Sequence, residues 1–411
     1  MTKKSLQVYL NDKYVGELSN DNNGGINFSY SENNDKAISL SLPLRKEAFP
    51  NNECNGFFNG LLPESENTRI VIGKKYGISP KNDFSILKAI GYDCAGAVSF
   101  FEDTPENELK EYYDISGKVM SDNELEIFIN ELPQKPLAIG VKGMRLSLAG
   151  AQDKTAVILT DNKIALPDKG VPSTHILKPS IQGYNETVEN EYICLKTAKE
   201  LGINVPNTKI MNVNNTKFFL IERYDREIKD GKLKRLHQED FCQASNIVSA
   251  YKYQSEGGLD FKQCFEILRK TSRPAIAIKQ FTELMVFNYL IGNNDAHGKN
   301  FSLLYLDSGR IELAPAYDIL CSTVYTNLPE KMAMKIGGHY EHDKIMPRHF
   351  EKLADEVGIS YTQLRKIIKT QCENVPDILR TVVNSFENTI GKDILTVVET
   401  NCERTMKKFE F

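Results

Sequence analysis

The segment Pro274–Ile291 (PAIAIKQFTELMVFNYLI) is apolar on nearly every side and opens on a proline suited to a helix's first turn. It predicts a helix covered by neighbours all round, which demands a sizeable helical layer. A chain of 411 residues, 41% hydrophobic, has the material for one. At that length roughly three quarters of the unfolded surface is buried without help from disulfides or metals. Glu283 interrupts the segment, which falls short of the ~20 apolar residues of a membrane span. Near the start, LQVYL is too short for a signal-peptide core. The eight cysteines are scattered without a CxxC, and read as reduced core thiols of a cytoplasmic protein. A net charge of −4 excludes a protein coating nucleic acid over its whole surface and leaves room for a local basic patch.

Around the helix, the pattern changes along the chain. Residues 5–45 alternate like strands: Leu6, Val8 and Leu10 precede an Asn11-Asp12 turn, and Ile38, Leu40, Leu42 and Leu44 alternate with polar residues until Pro43 intervenes. Phe57–Leu62 and Asn67–Tyr76 look helical. An acidic, sparsely apolar stretch, 103–131, reads as a connector with one surface helix. From Leu146 the signals are hairpins: Thr155–Leu159 and Ile164–Leu166 flank Asp161-Asn162, and Lys209–Val213 and Lys217–Ile221 flank Asn214-Asn215. Thr174–Leu177 is a further short strand, and Asn190–Leu201 a helix closed by Gly202. Past residue 235 helical patterns dominate, recurring at 348–357, 361–373 and 389–408. We therefore expect an N-terminal subdomain over 1–105, a connector over 106–142, a β-rich lobe over 143–225 and a helical lobe over 226–411. Such an α+β, bilobal plan is that of protein-kinase-like folds.

The long helix runs directly into Gly292-Asn293-Asn294-Asp295-Ala296-His297-Gly298-Lys299-Asn300. Its core has the Asp-x-x-x-x-Asn spacing of a protein-kinase catalytic loop, in which the Asp accepts the proton of an attacking hydroxyl and the Asn binds magnesium. A plain helix-capping loop would use Asn293, Asn294 and Gly298 equally well. Further on, Tyr317-Asp318 follows a hairpin-like segment, where a kinase keeps its second metal-binding Asp. The usual D-F-G tripeptide is absent. Upstream, Lys178 ends an apolar strand, and an anion such as a nucleotide phosphate would account for it. Its carboxylate partner would be Glu189 or Glu191. Ala149, Gly150, Ala151, Gln152, Asp153 and Lys154 stand where a glycine-rich loop belongs and offer backbone amides and a lysine to an anion. Glu222, Arg223 and Tyr224 end the last small-lobe strand, in the position of a hinge whose backbone groups pair with adenine.

Taken together the sequence resembles the HipA toxins, serine/threonine kinases of bacterial type II toxin–antitoxin modules. The likeness rests on SLSLPL (39–44), FFNGLLPE (57–64), GYDCAGAV (91–98), SLAGAQDKT (147–155), THILK (174–178), NEYICLKTAKELGINVP (190–206), ERYDR (222–226), Asp295–Phe301 and Tyr317-Asp318, all in order. The resemblance implies ATP-dependent phosphorylation of a protein serine with Asp295 as base. It also implies magnesium on Asn300 and Asp318, and phosphate on Lys178. Nucleotide contacts would come from residues 149–154, Glu222–Tyr224, His297, Gly298, Lys299, Asn300, Tyr317 and Asp318. Ser147 would be an autophosphorylation site whose phosphate draws the nucleotide loop out of the active site. Asp153 stands where the family often has Glu.

The implied partners are a helix-turn-helix, HipB-like antitoxin dimer and its operator DNA, with Lys344 and Arg348 in DKIMPRHF (343–350) as phosphate contacts. The implied substrate is an aminoacyl-tRNA synthetase, glutamyl-tRNA synthetase by family precedent. Nearby, His339 and His342 form H-x-x-H without a third metal ligand in view. Two rival readings are a small-molecule kinase, whose sequences would lack the SLSLPL and FFNGLLPE block, and a non-catalytic co-repressor, which would have no use for intact Lys178, Asp295, Asn300 and Asp318.

Overall fold

Leu6 and Val8 lie on the same side of the strand Ser5–Leu10, and both are fully buried. In the computed structural model, which describes residues 5–20, 24–105, 109–138, 147–148, 150 and 152–411, that strand sits inside a four-stranded sheet. The order is Ile26–Tyr30, Lys13–Asn20, Ser5–Leu10, Val98–Phe101. Phe57 and Phe58 of the helix Asn51–Gly60, and Ile86 and Leu87 of Asp83–Ile90, join Leu6, Val8, Leu18 and Phe28 in one apolar cluster. A second sheet has six strands, ordered Thr208–Val213, Thr216–Glu222, His175–Pro179, Thr155–Thr160, Lys163–Pro167, Gly117–Val119. Its hairpin turns at Asp161 and Asn162, with φ +49° and +59°, the mirror-image turn that matches strand twist. The acidic stretch between the sheets also contributes strands, one to the six-stranded sheet and one to a separate three-stranded sheet. Gly117–Val119 pairs with Lys163–Pro167, and Tyr113–Asp114 pairs with Lys232–Arg235. Its one helix, Asp122–Glu131, has a Ser121/Glu124 capping box.

By compactness the chain divides into two units. The first comprises Met1–Pro179, Met211–Ala250 and Leu304–Gly309; the second comprises Ser180–Ile210, Tyr251–Leu303 and Arg310–Phe411. The second is helical. Pro274–Ile291 starts on its proline and ends on Gly292 in the left-handed region, φ +75°. From Phe281 onward it is buried except at Glu283, whereas Ile276 in its first turns is 45% exposed. Burial all round thus holds for its second half. Phe261–Leu268, Tyr361–Val383 and Gly391–Phe409 pack against it. Tyr361–Val383 runs ten residues past the expected end at 373, straight through Pro376. Its stripe of Leu364, Ile368, Cys372, Val375, Leu379 and Val382 is buried, and that burial outweighs the hydrogen bond lost at one proline. All eight cysteines are buried and free, and no helix among the described residues is long and apolar enough to cross a membrane.

The alternation at 38–44 does not make a strand. Ser39 and Leu42 form an isolated bridge, Ile38 and Leu42 are buried, and Leu44 is exposed. The polar residues between them decide this. The Leu40 amide donates to Glu239 (2.9 Å), as does the Ser39 hydroxyl, while the Ser41 hydroxyl donates to the Gln243 carbonyl (2.8 Å). Chain geometry here follows a buried carboxylate, and alternation is incidental.

Burial pushes the Glu239 pKa up to about 7, although Ser39, Tyr305 and Leu40 donate to it and pull the other way. The folded chain therefore holds this proton more tightly than the unfolded chain, whose ordinary value is 4.5. The associated stability is fully present below about pH 4.5 and lost as pH rises through about 7, roughly 3 kcal/mol in all. Denaturant titrations across that window should show a downward slope that Glu239→Gln removes. Parallel slopes for both proteins would refute the assignment.

Candidate active site

Gly292 ends the long helix by reversing the chain, and the next turns are held almost wholly by side-chain amides. Asn293 Nδ2 donates to Asn288 Oδ1 (2.9 Å), and Asn293 Oδ1 accepts from the Asp295 amide (3.1 Å). Asn294 receives the His342 Nε2 hydrogen (2.8 Å), donates to the Pro329 carbonyl (3.1 Å), and its amide donates to Ser322 Oγ (2.8 Å). Burial lowers the His342 pKa to about 4, with Arg404 adding to the effect, so its ring stays neutral and stacked 5.0 Å from Tyr289. Asn300 Nδ2 reaches back to the Asp295 carbonyl (2.8 Å). The two ends of the Asp-x-x-x-x-Asn motif are thus tied directly. The Asp295 side chain stays 55% exposed, with its Oδ1 accepting from the Tyr253 hydroxyl at 2.5 Å and lying 4.0 Å from His297 Nε2. His297, Gly298, Lys299 and Asn300 are buried, the last three as a single 3-10 turn.

Asp318 belongs to the same unit. Its φ of +52° is a left-handed conformation that aspartate tolerates better than most residues. Two anchors flank it. The Tyr317 hydroxyl donates to the Lys299 carbonyl (2.7 Å), tying this turn to the Asp295–Asn300 loop. Asn190, on the helix Thr187–Glu200, clamps Cys321 from both sides: its Oδ1 accepts from the Cys321 amide (2.8 Å), its Nδ2 donates to the Cys321 carbonyl (3.1 Å). Asp295, Asn300, Tyr317 and Asp318 are therefore joined through one hydrogen-bonded frame. Glu189 and Glu191 are both buried on the Asn190 helix.

In the first unit, Lys178 lies opposite Phe219 on the central strands, 4% exposed, its amine 6.0 Å from the Phe219 ring centre. Ser147 is fully buried; its hydroxyl donates to the Leu61 carbonyl (2.6 Å) and its amide to the Asp93 carbonyl (3.1 Å). Gly150 bridges Pro63, and the Glu64 amide donates to the Gly150 carbonyl (3.3 Å). At φ +107° position 150 favours glycine on backbone grounds, and a Cβ there would make Lys154 Nζ move aside. Lys154 is buried, and burial raises the Asp153 pKa. Gln152 makes a long contact, 3.4 Å, to the Pro179 carbonyl. Ala149 and Ala151 lie outside the described residues. The FFNGLLPE segment is thus what holds Ser147 and Gly150.

Of the three residues read as a hinge, Arg223 is tied into the fold: its amide donates to the Thr174 carbonyl (2.9 Å), its carbonyl accepts from the Arg226 amide (3.2 Å), and its guanidinium forks onto Asp225 at 3.0 and 2.8 Å. Ser173 and Asp93 complete this buried network, and Arg226 bonds Asp93 at 2.7 Å. Burial pushes the Asp225 pKa up, but Arg223 and Arg226 together outweigh it and hold the group ionised well below the ordinary range. Glu222 remains at the strand end, and the Tyr224 hydroxyl bonds Gln238. The sequence signal for this was two arginines and an aspartate inside five residues, whose mates at Asp93 and Ser173 lie too far along the chain to be read. Tyr253 was missed for the same reason.

Lys344 and Arg348 are exposed; Lys344 pairs with Glu341 at 3.4 Å, and Arg348 lies in the first turn of Pro347–Val357. His339 stacks on His349 at 4.2 Å while His342 serves Asn294, so the two histidines of H-x-x-H have separate structural partners.

A family model described as the HipA N-terminal domain matches residues 6–101, and one described as the HipA-like C-terminal domain matches 146–379. A putative kinase, Y4mE, from Sinorhizobium fredii is 39% identical over 391 residues, covering 93% of each chain. The serine/threonine-protein kinase toxin HipA of Shewanella oneidensis is 28% identical over 399 residues, covering 92% of this chain and 89% of its own. The solved complex of Shewanella oneidensis HipA, HipB and operator DNA superimposes with a TM-score of 0.86 at 27% identity, covering 98% of both chains. That likeness carries the kinase-like, bilobal α+β fold over to this chain. With both domain models matched in order and a 39% identical relative spanning nearly all of it, the chain belongs to the HipA family of kinase toxins.

Proposed function

We propose that this protein is an ATP-dependent serine/threonine kinase, the toxin of a type II toxin–antitoxin pair in the cytoplasm. The observation that carries the reading is the tie between Asn300 Nδ2 and the Asp295 carbonyl, which presents the Asp295 carboxylate outward while fixing Asn300 beside it. Asp295 takes the proton of an acceptor serine, and Lys178 balances phosphate charge. Asn300 and Asp318 offer an amide oxygen and a carboxylate, a hard donor pair of the kind magnesium uses together with phosphates and water. Magnesium, when bound, would neutralise charge on the transferring phosphate. Among the described residues no cluster of three or more His, Cys, Asp or Glu forms a metal cage, so the ion would be held jointly with nucleotide. Gly150, Gln152, Asp153, Lys154, Glu222, Tyr224, His297, Gly298, Lys299 and Tyr317, with Ala149 and Ala151, are the proposed nucleotide contacts. Ser147 is the proposed self-modification site, and the proposed substrate is an aminoacyl-tRNA synthetase such as glutamyl-tRNA synthetase.

Phosphoproteomics of cells expressing the protein, against an Asp295→Asn control, tests this directly. Serines phosphorylated only by the active form name the substrate; identical phosphoproteomes would favour a non-catalytic co-repressor. The proposed partners are a helix-turn-helix antitoxin dimer and its operator DNA, a reading supported by the solved Shewanella complex of HipA, HipB and operator DNA. Exposed Lys344 and Arg348 then meet DNA phosphates. Reversing both charges should flatten the salt dependence of operator binding by about one unit per lost contact, with kinase activity unchanged. An unaltered slope would leave DNA contact to the antitoxin.

A further inference from the structure

The Tyr253 hydroxyl donates to Asp295 Oδ1 at 2.5 Å, a short, charge-assisted contact on the residue read as the base. Tyr253 itself is firmly held. Its carbonyl accepts from the Glu256 amide (3.0 Å) and the Gly258 amide (2.9 Å). The next residue, Gln254, is pinned twice: its amide reaches the Ala333 carbonyl (3.3 Å), and its side-chain oxygen accepts from the Lys335 amide (2.7 Å). The Tyr253 ring stands edge-on to His297, centres 5.2 Å apart at 83°. His297 is buried in the catalytic loop, so ring and hydroxyl register against the same loop at two points. Asp295, by contrast, is an exposed carboxylate on a short side chain, free to rotate unless something fixes it.

From this we infer that Tyr253 is a positioning residue for phosphoryl transfer: its hydroxyl clamps one carboxylate oxygen of Asp295 so that the other faces the incoming serine hydroxyl. The inference rests on the kinase reading above. A seat for the acceptor, temporarily filled by tyrosine, is the opposite possibility. The geometry favours the clamp, because Tyr253 engages one oxygen of a side chain that remains more than half exposed, leaving room for an acceptor on the second.

Tyr253→Phe isolates the hydroxyl, since the ring edge on His297 is kept. Label transfer from γ-labelled ATP to an excess of Asp295→Asn protein, used as acceptor, gives kcat and the KM for ATP. The clamp predicts a kcat reduced roughly 10- to 100-fold, the scale of a misoriented reacting group. The KM for ATP should stay within about twofold of wild type, and calorimetric ATP affinity should match it. A raised kcat would make Tyr253 an occupant of the acceptor seat and overturn the inference. So would an unchanged kcat, or a change confined to the KM for ATP; each of these leaves the kinase reading intact. If wild-type protein transfers no label either to this acceptor or to the proteins of a cell lysate, the kinase reading fails and the clamp with it.

Discussion

Purified Asp295→Asn protein should bind ATP and magnesium normally yet transfer phosphate about 10²–10⁴-fold more slowly, the usual contribution of a general base. The substitution is nearly isosteric, and its surroundings tolerate it. The backbone at 295 is held by the Asn293 side chain and by Asn300, neither of which uses the carboxylate. The Tyr253 hydroxyl can still donate to an amide oxygen. Asp318→Asn is equally clean for a different reason. At φ +52° most side chains would strain the turn, but asparagine enters the left-handed region as readily as aspartate. It removes a charge without disturbing Tyr317 or Cys321, so transfer should fail through loss of magnesium and nucleotide binding. Single-turnover assays with calorimetry separate the two. Undiminished transfer by Asp295→Asn would sink the assignment of the base, and undiminished magnesium-dependent binding by Asp318→Asn that of the ligand.

How much of this could be read from the sequence depended on how local the determinants were. The long helix and the loop after it were legible because proline, apolar run, glycine and Asp-x-x-x-x-Asn follow each other without a gap, and the hydrogen bonds that the Asn293 and Asn300 side chains make within the loop span five residues or fewer. The Asp161-Asn162 hairpin was legible for the same reason. What escaped were pairings across long separations. Glu239 dictates the path of Ser39–Leu42 from about 200 positions away, and alternation alone could not reveal that. The buried network of Arg223 was hidden in the same way, its mates at Asp93 and Ser173 lying 130 and 50 positions upstream. The helix through Pro376 was cut short because local propensity was weighed without the buried stripe that overrides it. Tyr253 carries no pattern at all, and its role emerges only once the fold sets its hydroxyl on Asp295.

Phosphate on Ser147 should undock Ser147 and Gly150, which adjoin the proposed nucleotide contacts, and weaken ATP binding by at least ~100-fold. In the unmodified protein the Ser147 side chain has no solvent exposure, and its hydroxyl is a donor aimed at the Leu61 carbonyl. Phosphorylation removes that hydrogen and attaches about −1.5 to −2 charges carried on acceptor oxygens. They would face the Leu61 carbonyl oxygen at a position with no solvent exposure. Burying such a charge without a partner is so costly that the segment leaves instead. Gly150 would leave with it, breaking the bond from the Glu64 amide and withdrawing Lys154. The same burial acts before the reaction: a docked Ser147 cannot receive a phosphoryl group, so the segment must swing out first, and modification traps it there. Ser147→Ala, which forfeits one hydrogen bond worth about 1 kcal/mol, should remain docked, bind ATP and escape modification. Ser147→Asp, with one charge, should reproduce the phosphorylated state in part. Mass spectrometry locates the phosphate, calorimetry reads the affinity, and proteolysis near residue 147 reads the release. Phosphorylated protein that still binds ATP as tightly as the unmodified form would show that Ser147 and the nucleotide loop are not coupled in this way.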